Sequence, residues 1–173
     1  MKKLLLVVAM IAAGFTANAQ TFGVKGGLNV ANVDVDTDFG GGSPDGKTSF
    51  YLGGLVDFEI SEKFHIQPEV LYSGDGFDGF DMSFLTVPVM AKYYVAEGFN
   101  IQAGPQLGFL VDSDGDTDEM ESFNFSLGLG AAYELESGLF FDMRYNIGLS
   151  NLSQDPSVDV STKAFQVGLG YRF

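Results

Sequence analysis

The sequence predicts an all-β protein, an eight-stranded antiparallel transmembrane β-barrel with up-and-down meander topology. Apolar and polar residues alternate with period two along most of the chain, which is strand periodicity rather than helical periodicity. The alternating segments are roughly 10 to 13 residues long, close to the 9–11 residues that a tilted strand needs to cross a bilayer. Short turns alternate with longer polar segments, which is typical of a membrane barrel.

The N-terminus predicts a secretory signal peptide over residues 1–19. Lys2 and Lys3 precede a short apolar run, residues 4–13, and the small residues Ala17 and Ala19 form a cleavage signal. A buried helix or a membrane anchor is the less favoured alternative, because the run is short for a bilayer span. The outer-membrane barrel domain is then expected to cover residues 20–173.

Composition excludes several classes of protein. The chain has 9 basic and 23 acidic residues, for a formal net charge of −14, which argues against a nucleic-acid partner. It has no cysteine, so an exported chain of this kind needs a sizeable core or a membrane to stabilise it. No run of 18 apolar residues follows the predicted signal peptide, so only a closed barrel of strands could cross a membrane.

Eight alternating segments are the predicted strands. They cover residues 22–33, 50–60, 64–73, 85–95, 99–111, 122–135, 139–150 and 165–173. Short turns are expected at 61–63, 96–98 and 136–138, and long polar loops at 34–47, 74–81, 112–121 and 152–161. An even number of strands places both termini on the short-turn side, which is periplasmic in outer-membrane barrels.

Three features indicate that the apolar stripe faces outward. The polar stripe is rich in glycine and suits the narrow lumen of an eight-stranded barrel. Aromatic residues gather near the strand ends, as in the girdles of membrane barrels. The polar stripe also carries both signs of charge, and buried charges must be paired. We therefore expect an interior salt-bridge network that blocks free passage, formed by Lys25, Asp57, Glu59, Glu69, Lys92, Glu134, Asp142, Arg144 and Arg172.

The acidic segment 112–121, DSDGDTDEME, raises the question of calcium binding. An EF-hand requires glycine at the sixth position and glutamate at the twelfth, where this chain has Thr117 and Phe123, so that motif is rejected. The favoured interpretation is that the acids keep the loop solvated. A looser Ca²⁺ site remains open as the alternative, with the candidate ligands Asp112, Asp114, Asp116 and Asp118.

No residues converge on a reaction. The single histidine, His65, follows a short turn and is expected to face the lumen beside a polar partner. The sequence has no nucleophile motif, and no GxGxxG precedes a helix. We therefore expect neither enzymatic activity nor a cofactor.

Several segments resemble the PorT-like "porin family" of outer-membrane β-barrel proteins from the Bacteroidetes. They are FGVKGGLN, FHIQPEVLYSGDG, LTVPVMAKYY, GFNIQAGPQLGFLV, FFDMRYNIGLSNL and the closing FQVGLGYRF, so the resemblance covers essentially the whole mature chain. The resemblance implies eight antiparallel strands and residence in the lipid of the cell outer membrane. The closing strand, with Leu169, Tyr171 and Phe173, resembles the signal that the barrel-assembly machinery reads during biogenesis.

These observations lead to one functional hypothesis and two alternatives. We expect a non-enzymatic outer-membrane protein with a plugged polar lumen and acidic surface loops, in an envelope-structural, surface-interaction or secretion-associated role with an unidentified partner. One alternative is a narrow channel for small solutes, which stable openings in a conductance trace would favour. The other is a soluble periplasmic barrel that binds an apolar ligand, which recovery without detergent would favour.

Overall fold

The computed structural model describes residues 20–37, 40–42, 47–77, 80–113, 123–149 and 158–173. No helix in these residues is long and apolar enough to cross a membrane. The predicted signal peptide lies outside them. The described chain forms β1 (Gln20–Thr37), β2 (Gly40–Gly42), β3 (Lys47–Ser61), β4 (Phe64–Phe77), β5 (Phe80–Ala96), β6 (Phe99–Ser113), β7 (Phe123–Glu134), β8 (Leu139–Gly148) and β9 (Val158–Arg172).

Eight of these strands close into a barrel. From β3 onward each strand pairs antiparallel with the next in the chain, and β1 pairs with both β3 and β9. The β1–β9 pairing runs from Gly23↔Arg172 to Thr37↔Val158 and closes the wall. The short strand β2 pairs only with the end of β1. The predicted all-β fold, an eight-stranded antiparallel meander barrel, is confirmed.

Six of the eight barrel strands are longer than the sequence predicted, and β1 reaches 18 residues. The other two, β7 and β8, are shorter by two residues each. The prediction of a long polar loop over 74–81 is wrong, because β4 continues to Phe77, β5 begins at Phe80, and these two residues pair. The segment 34–47 likewise includes the end of β1 and the whole of β2. Apolar alternation marks only the part of a strand that needs an apolar face, whereas backbone pairing continues beyond it.

One end of the barrel carries the three short turns, and we call it the turn end. Gly98 and Gly138 have φ angles of 71° and 89° there, in the left-handed region that favours glycine. The Ser61 hydroxyl accepts a hydrogen bond of 3.2 Å from the Phe64 N–H. Because β1 begins and β9 ends at this end, the Phe173 N–H can donate to the Phe22 carbonyl over 3.0 Å.

The exterior of the barrel wall is apolar. Exposed side chains of this stripe include Phe22, Val24, Leu28, Leu52, Tyr93, Ile101, Leu129, Met143, Val167 and Leu169. Phe58 is an exception among the aromatic residues near the strand ends, because the structure buries it. A continuous apolar exterior suits lipid rather than water. The alternative of a soluble barrel with an apolar lumen is therefore wrong.

The interior holds large side chains as well as the predicted glycines. Tyr51, Met90 and Phe140 are buried. A Cβ added at Gly168 would meet the Tyr51 hydroxyl, and one added at Gly170 would meet the Phe140 ring. Each of these glycines therefore leaves room for an aromatic side chain in the lumen.

Candidate functional site

Four charged side chains form a central quartet, Lys25, Glu69, Asp142 and Arg144. Arg144 donates two hydrogen bonds to Glu69, of 3.0 and 2.7 Å. The Lys25 Nζ lies 2.7 Å from Asp142 and 3.5 Å from Glu69. These four side chains are at most 2% exposed, and two positive charges balance two negative ones. Pairing of this kind offsets the cost of removing the charges from water.

Neutral polar groups satisfy the central quartet further. The Tyr51 hydroxyl donates to Asp142 over 3.2 Å, and Gln67 Nε2 donates to Glu69 over 2.7 Å. Arg144 also donates to the Gln102 side-chain oxygen over 3.2 Å. The quartet therefore connects side chains from β1, β3, β4, β6 and β8.

A second set, the turn-side quartet, lies nearer the turn end and consists of Asp57, Lys92, Glu134 and Arg172. Lys92 Nζ lies 2.9 Å from Asp57 and 2.7 Å from Glu134. Arg172 contacts Glu134 and lies 3.6 Å from Asp57. These side chains are between 1% and 16% exposed, so water reaches this quartet more readily than the central one.

His65 and Tyr94 contact members of the turn-side quartet. His65 Nδ1 lies 2.5 Å from Asp57, and the two rings of His65 and Tyr94 are 4.8 Å apart. The Tyr94 hydroxyl donates to Glu134 over 2.7 Å and accepts from Lys92 over 3.2 Å. Asn100 donates to the same glutamate over 3.0 Å.

Gln67 joins the two quartets into one network. Its Nε2 donates to Glu69 in the central quartet, and its Oε1 accepts from Lys92 in the turn-side quartet over 3.2 Å. The remaining gap between the quartets is too small to hold a water molecule. It is lined by Lys25, Gln67, Lys92, Gln102, Ala132, Glu134, Phe140, Asp142 and Arg172.

The structure brings together eight of the nine charged residues that the sequence assigned to the lumen. Glu59, the ninth, is exposed near the turn end and makes no ion pair within the described part of the chain. Sequence reasoning did not single out Tyr51, Gln67 or Tyr94. All three lie at inward-facing positions of their strands, so the period-two pattern carried a signal for their orientation but none for their partners.

The calcium candidates are only partly described. Asp112 lies in β6 opposite Ser83 of β5, while Asp114, Asp116 and Asp118 lie outside the described residues. Among the residues that are described, no three His, Cys, Asp or Glu side chains are grouped so that they could hold a metal ion.

The candidate assembly signal lies on the exterior of β9 and at its end. Leu169 and Tyr171 belong to the exposed stripe, and Phe173 is 72% exposed. The Phe173 ring lies 6.3 Å from the Tyr171 ring. These three side chains are therefore accessible from outside the barrel wall.

A closed barrel with an apolar exterior and a paired, charged interior defines an integral membrane protein of the β-barrel class. The chain belongs to the family described as "Outer membrane protein beta-barrel domain", which matches residues 4–173. Its location in the cell outer membrane, which the sequence predicted, is thereby confirmed.

Solved structures of outer-membrane proteins share this fold. Ail, the attachment invasion locus protein of Yersinia pestis, has a TM-score of 0.57 at 16% identity, covering 90% of this chain and 99% of Ail. OprG from Pseudomonas aeruginosa has a TM-score of 0.50 at 16% identity, covering 90% and 96%. Neisserial surface protein A has a TM-score of 0.51 at 17% identity, covering 88% and 97%. No curated protein matches the chain significantly.

Proposed function

We infer that the protein is a non-enzymatic, non-conducting scaffold of the outer membrane, with a plugged lumen and acidic segments presented at the cell surface. The observation that carries this proposal is the pair of neutral quartets joined through Gln67. All eight barrel strands contribute a side chain to this network, since β6 supplies Gln102 and Asn100. Passage of an ion would require several of these pairs to separate at once.

The plugged lumen can be tested by planar-bilayer conductance with the purified, refolded barrel. We expect no stable openings, because the charged side chains contact one another across the lumen. A double variant, Glu69→Ala with Arg144→Ala, removes a matched pair of charges and serves as the opened control. Stable openings of the unaltered protein would overturn the proposal in favour of the narrow channel.

The surface role rests on where the acids lie in the sequence. Most of the 23 acidic residues fall in the segments predicted to lie outside the cell, including the six of DSDGDTDEME. One structure similar in fold shows Ail in complex with sucrose octasulfate, a heparin analogue and therefore a polyanion. The acidic segments of this chain repel polyanions, so a cationic partner is the better match. The resemblance to PorT-like proteins of the Bacteroidetes adds a secretion-linked setting for that partner.

The surface role can be tested by retention on immobilised ligands. We expect the folded barrel to be retained on polylysine in low salt and not on heparin. A variant in which Asp and Glu of 112–121 become Asn and Gln should be retained less on polylysine. Retention on heparin, or unchanged retention of that variant, would contradict the proposed role of this segment.

A further inference from the structure

Three prolines lie within neighbouring strands of the barrel wall. Pro68 is in β4, Pro88 in β5 and Pro105 in β6. Proline has no N–H and cannot donate a ladder hydrogen bond, so it is normally restricted to sheet edges, strand ends and bulges. A closed barrel has no edge, and these three residues therefore interrupt its wall.

The backbone ladder shows the interruptions directly. Pairing stops and resumes with two rungs missing at β3–β4, β4–β5 and β5–β6, and each gap corresponds to one lost hydrogen bond, the one that the proline N–H would have donated. The flanking pairs are Leu55↔Glu69 and Phe58↔Ile66, Pro68↔Val89 and Leu71↔Thr86, and Pro88↔Gln106 and Ala91↔Ala103. The register is the same on both sides of each gap, so the strands stay side by side while the rungs are absent.

By this register Pro68 faces Val56 of β3, Pro88 faces Glu69 of β4 and Pro105 faces Val89 of β5. We call the twelve residues of the missing rungs the proline sector. They are residues 56–57, 67–70, 87–90 and 104–105. The other five pairings of the closed barrel wall run without a gap among the described residues.

The three lost hydrogen bonds weaken this side of the wall more than they would in water. Lipid offers no replacement hydrogen bond to a backbone carbonyl that has lost its donor. Protection from amide hydrogen exchange is also uneven within a protein, and segments with fewer backbone hydrogen bonds open first. The proline sector is thus the place where the barrel wall is least supported by its own backbone.

Polar residues of the lumen network lie within this sector. Glu69, whose rung partner is Pro88, has its carboxylate held by Arg144 of β8 and Lys25 of β1. Asp57 and Gln67 occupy a missing β3–β4 rung, and Lys92 contacts both of them. Side-chain bonds of the lumen network therefore hold the segments in which a backbone hydrogen bond is missing.

We propose that the lumen network is a latch that holds the proline sector closed, and that release of Glu69 lets β4, β5 and β6 open locally while β7, β8 and β9 stay paired. This inference goes beyond the proposed non-conducting scaffold, because it concerns the wall rather than the axial path. The latch is therefore tested independently of whether the barrel shows stable openings in a planar bilayer.

Amide hydrogen exchange of the folded barrel in micelles tests the latch. Glu69→Gln and Asp142→Asn are matched variants, since each removes one carboxylate charge from the central quartet without changing side-chain size. Glu69→Gln should raise exchange about tenfold at amides of β4, β5 and β6, because the charged clamp is lost. Asp142→Asn should leave the amides of β7 and β9 protected from exchange, because the ladders of β8 with both of its neighbours are uninterrupted.

A second substitution shows whether the missing rung is the cause. Pro88→Ala supplies an N–H opposite Glu69, and in the Glu69→Gln background it should return exchange in β4 and β5 toward that of the unaltered protein. Both variants are first shown to be folded by SDS gel electrophoresis, in which a folded barrel from an unboiled sample migrates differently from the boiled protein. The latch is overturned if faster exchange is confined to β4, if Asp142→Asn opens its own neighbours equally, or if Pro88→Ala restores nothing.

Discussion

Arg144 and Glu69 are joined across the lumen by two hydrogen bonds of 3.0 and 2.7 Å, although 75 positions separate them in the chain. Solvent reaches neither side chain. Two parallel bonds between planar groups hold orientation as well as charge. This pair therefore ties β8 to β4 through the interior of the barrel.

Replacing Arg144 should destabilise the barrel strongly. In Arg144→Met the Glu69 carboxylate stays buried with Lys25 at 3.5 Å as its remaining cation. We expect the free energy of unfolding to fall by about 3–5 kcal/mol, the usual result of breaking a buried pair. The folded fraction on unboiled gels across a urea series measures this loss. Arg144→Lys is the matched control and should lose less, and an unchanged midpoint for Arg144→Met would contradict the assignment.

The corresponding change in the turn-side quartet should cost less. Arg172 and Glu134 are 13% and 16% exposed, so water screens the charge that Arg172→Met leaves behind. We expect a loss of about 1–2 kcal/mol in the same urea series. A loss equal to that of Arg144→Met would show that exposure does not separate the two quartets.

A side chain at Gly128 should force the Gln106 amide to move. A Cβ at Gly128 would meet the Gln106 amide, which donates to Asn146 over 2.5 Å. Gly128→Ala should therefore cost about 1–3 kcal/mol, as overpacking usually does. In a Gln106→Ala background most of this cost should disappear, which a double-mutant cycle measures. Additive effects of the two changes would refute the proposed clash.

Phe173→Ser should reduce assembly more than stability. The ring is largely exposed, and the terminal residue is tied to Phe22 through its backbone N–H, which the substitution keeps. We expect less folded barrel in the outer-membrane fraction of cells and a nearly unchanged urea midpoint after refolding in vitro. Phe141→Ser changes another exposed aromatic residue of the apolar stripe and is the control. It should lower the urea midpoint more than it lowers the amount of folded barrel in the outer-membrane fraction. Equal assembly of the two variants would remove Phe173 from the signal.

Calcium should leave the unfolding midpoint of the barrel unchanged. The favoured interpretation of the acidic segment is that its carboxylates keep it solvated, and such a role requires no bound cation. The measurement is a urea series with millimolar Ca²⁺ or with a chelator. A rise in the midpoint that disappears when Asp114, Asp116 and Asp118 become Asn would establish the alternative.

The sequence by itself determined the fold class, the membrane-facing stripe and the turns. Period two places Leu169, Tyr171 and Phe173 on one face, and an apolar face of this length needs lipid. The same parity places Tyr94 and Gln67 inside with the charges. Strand ends could not be predicted in the same way, because the ladder from Gly74 to Phe77 continues without an apolar face.

Only the tertiary structure decided which charges pair. Lys25 and Asp142 are 117 positions apart and meet because the barrel closes between β1 and β9 and sets the stagger of every strand. The same stagger leaves Glu59 in solvent near the turn end and places Glu69 opposite Pro88. Period two specifies the face of a strand on which a side chain lies. Its height in the lumen and its partner across it follow from closure, which involves all eight strands at once.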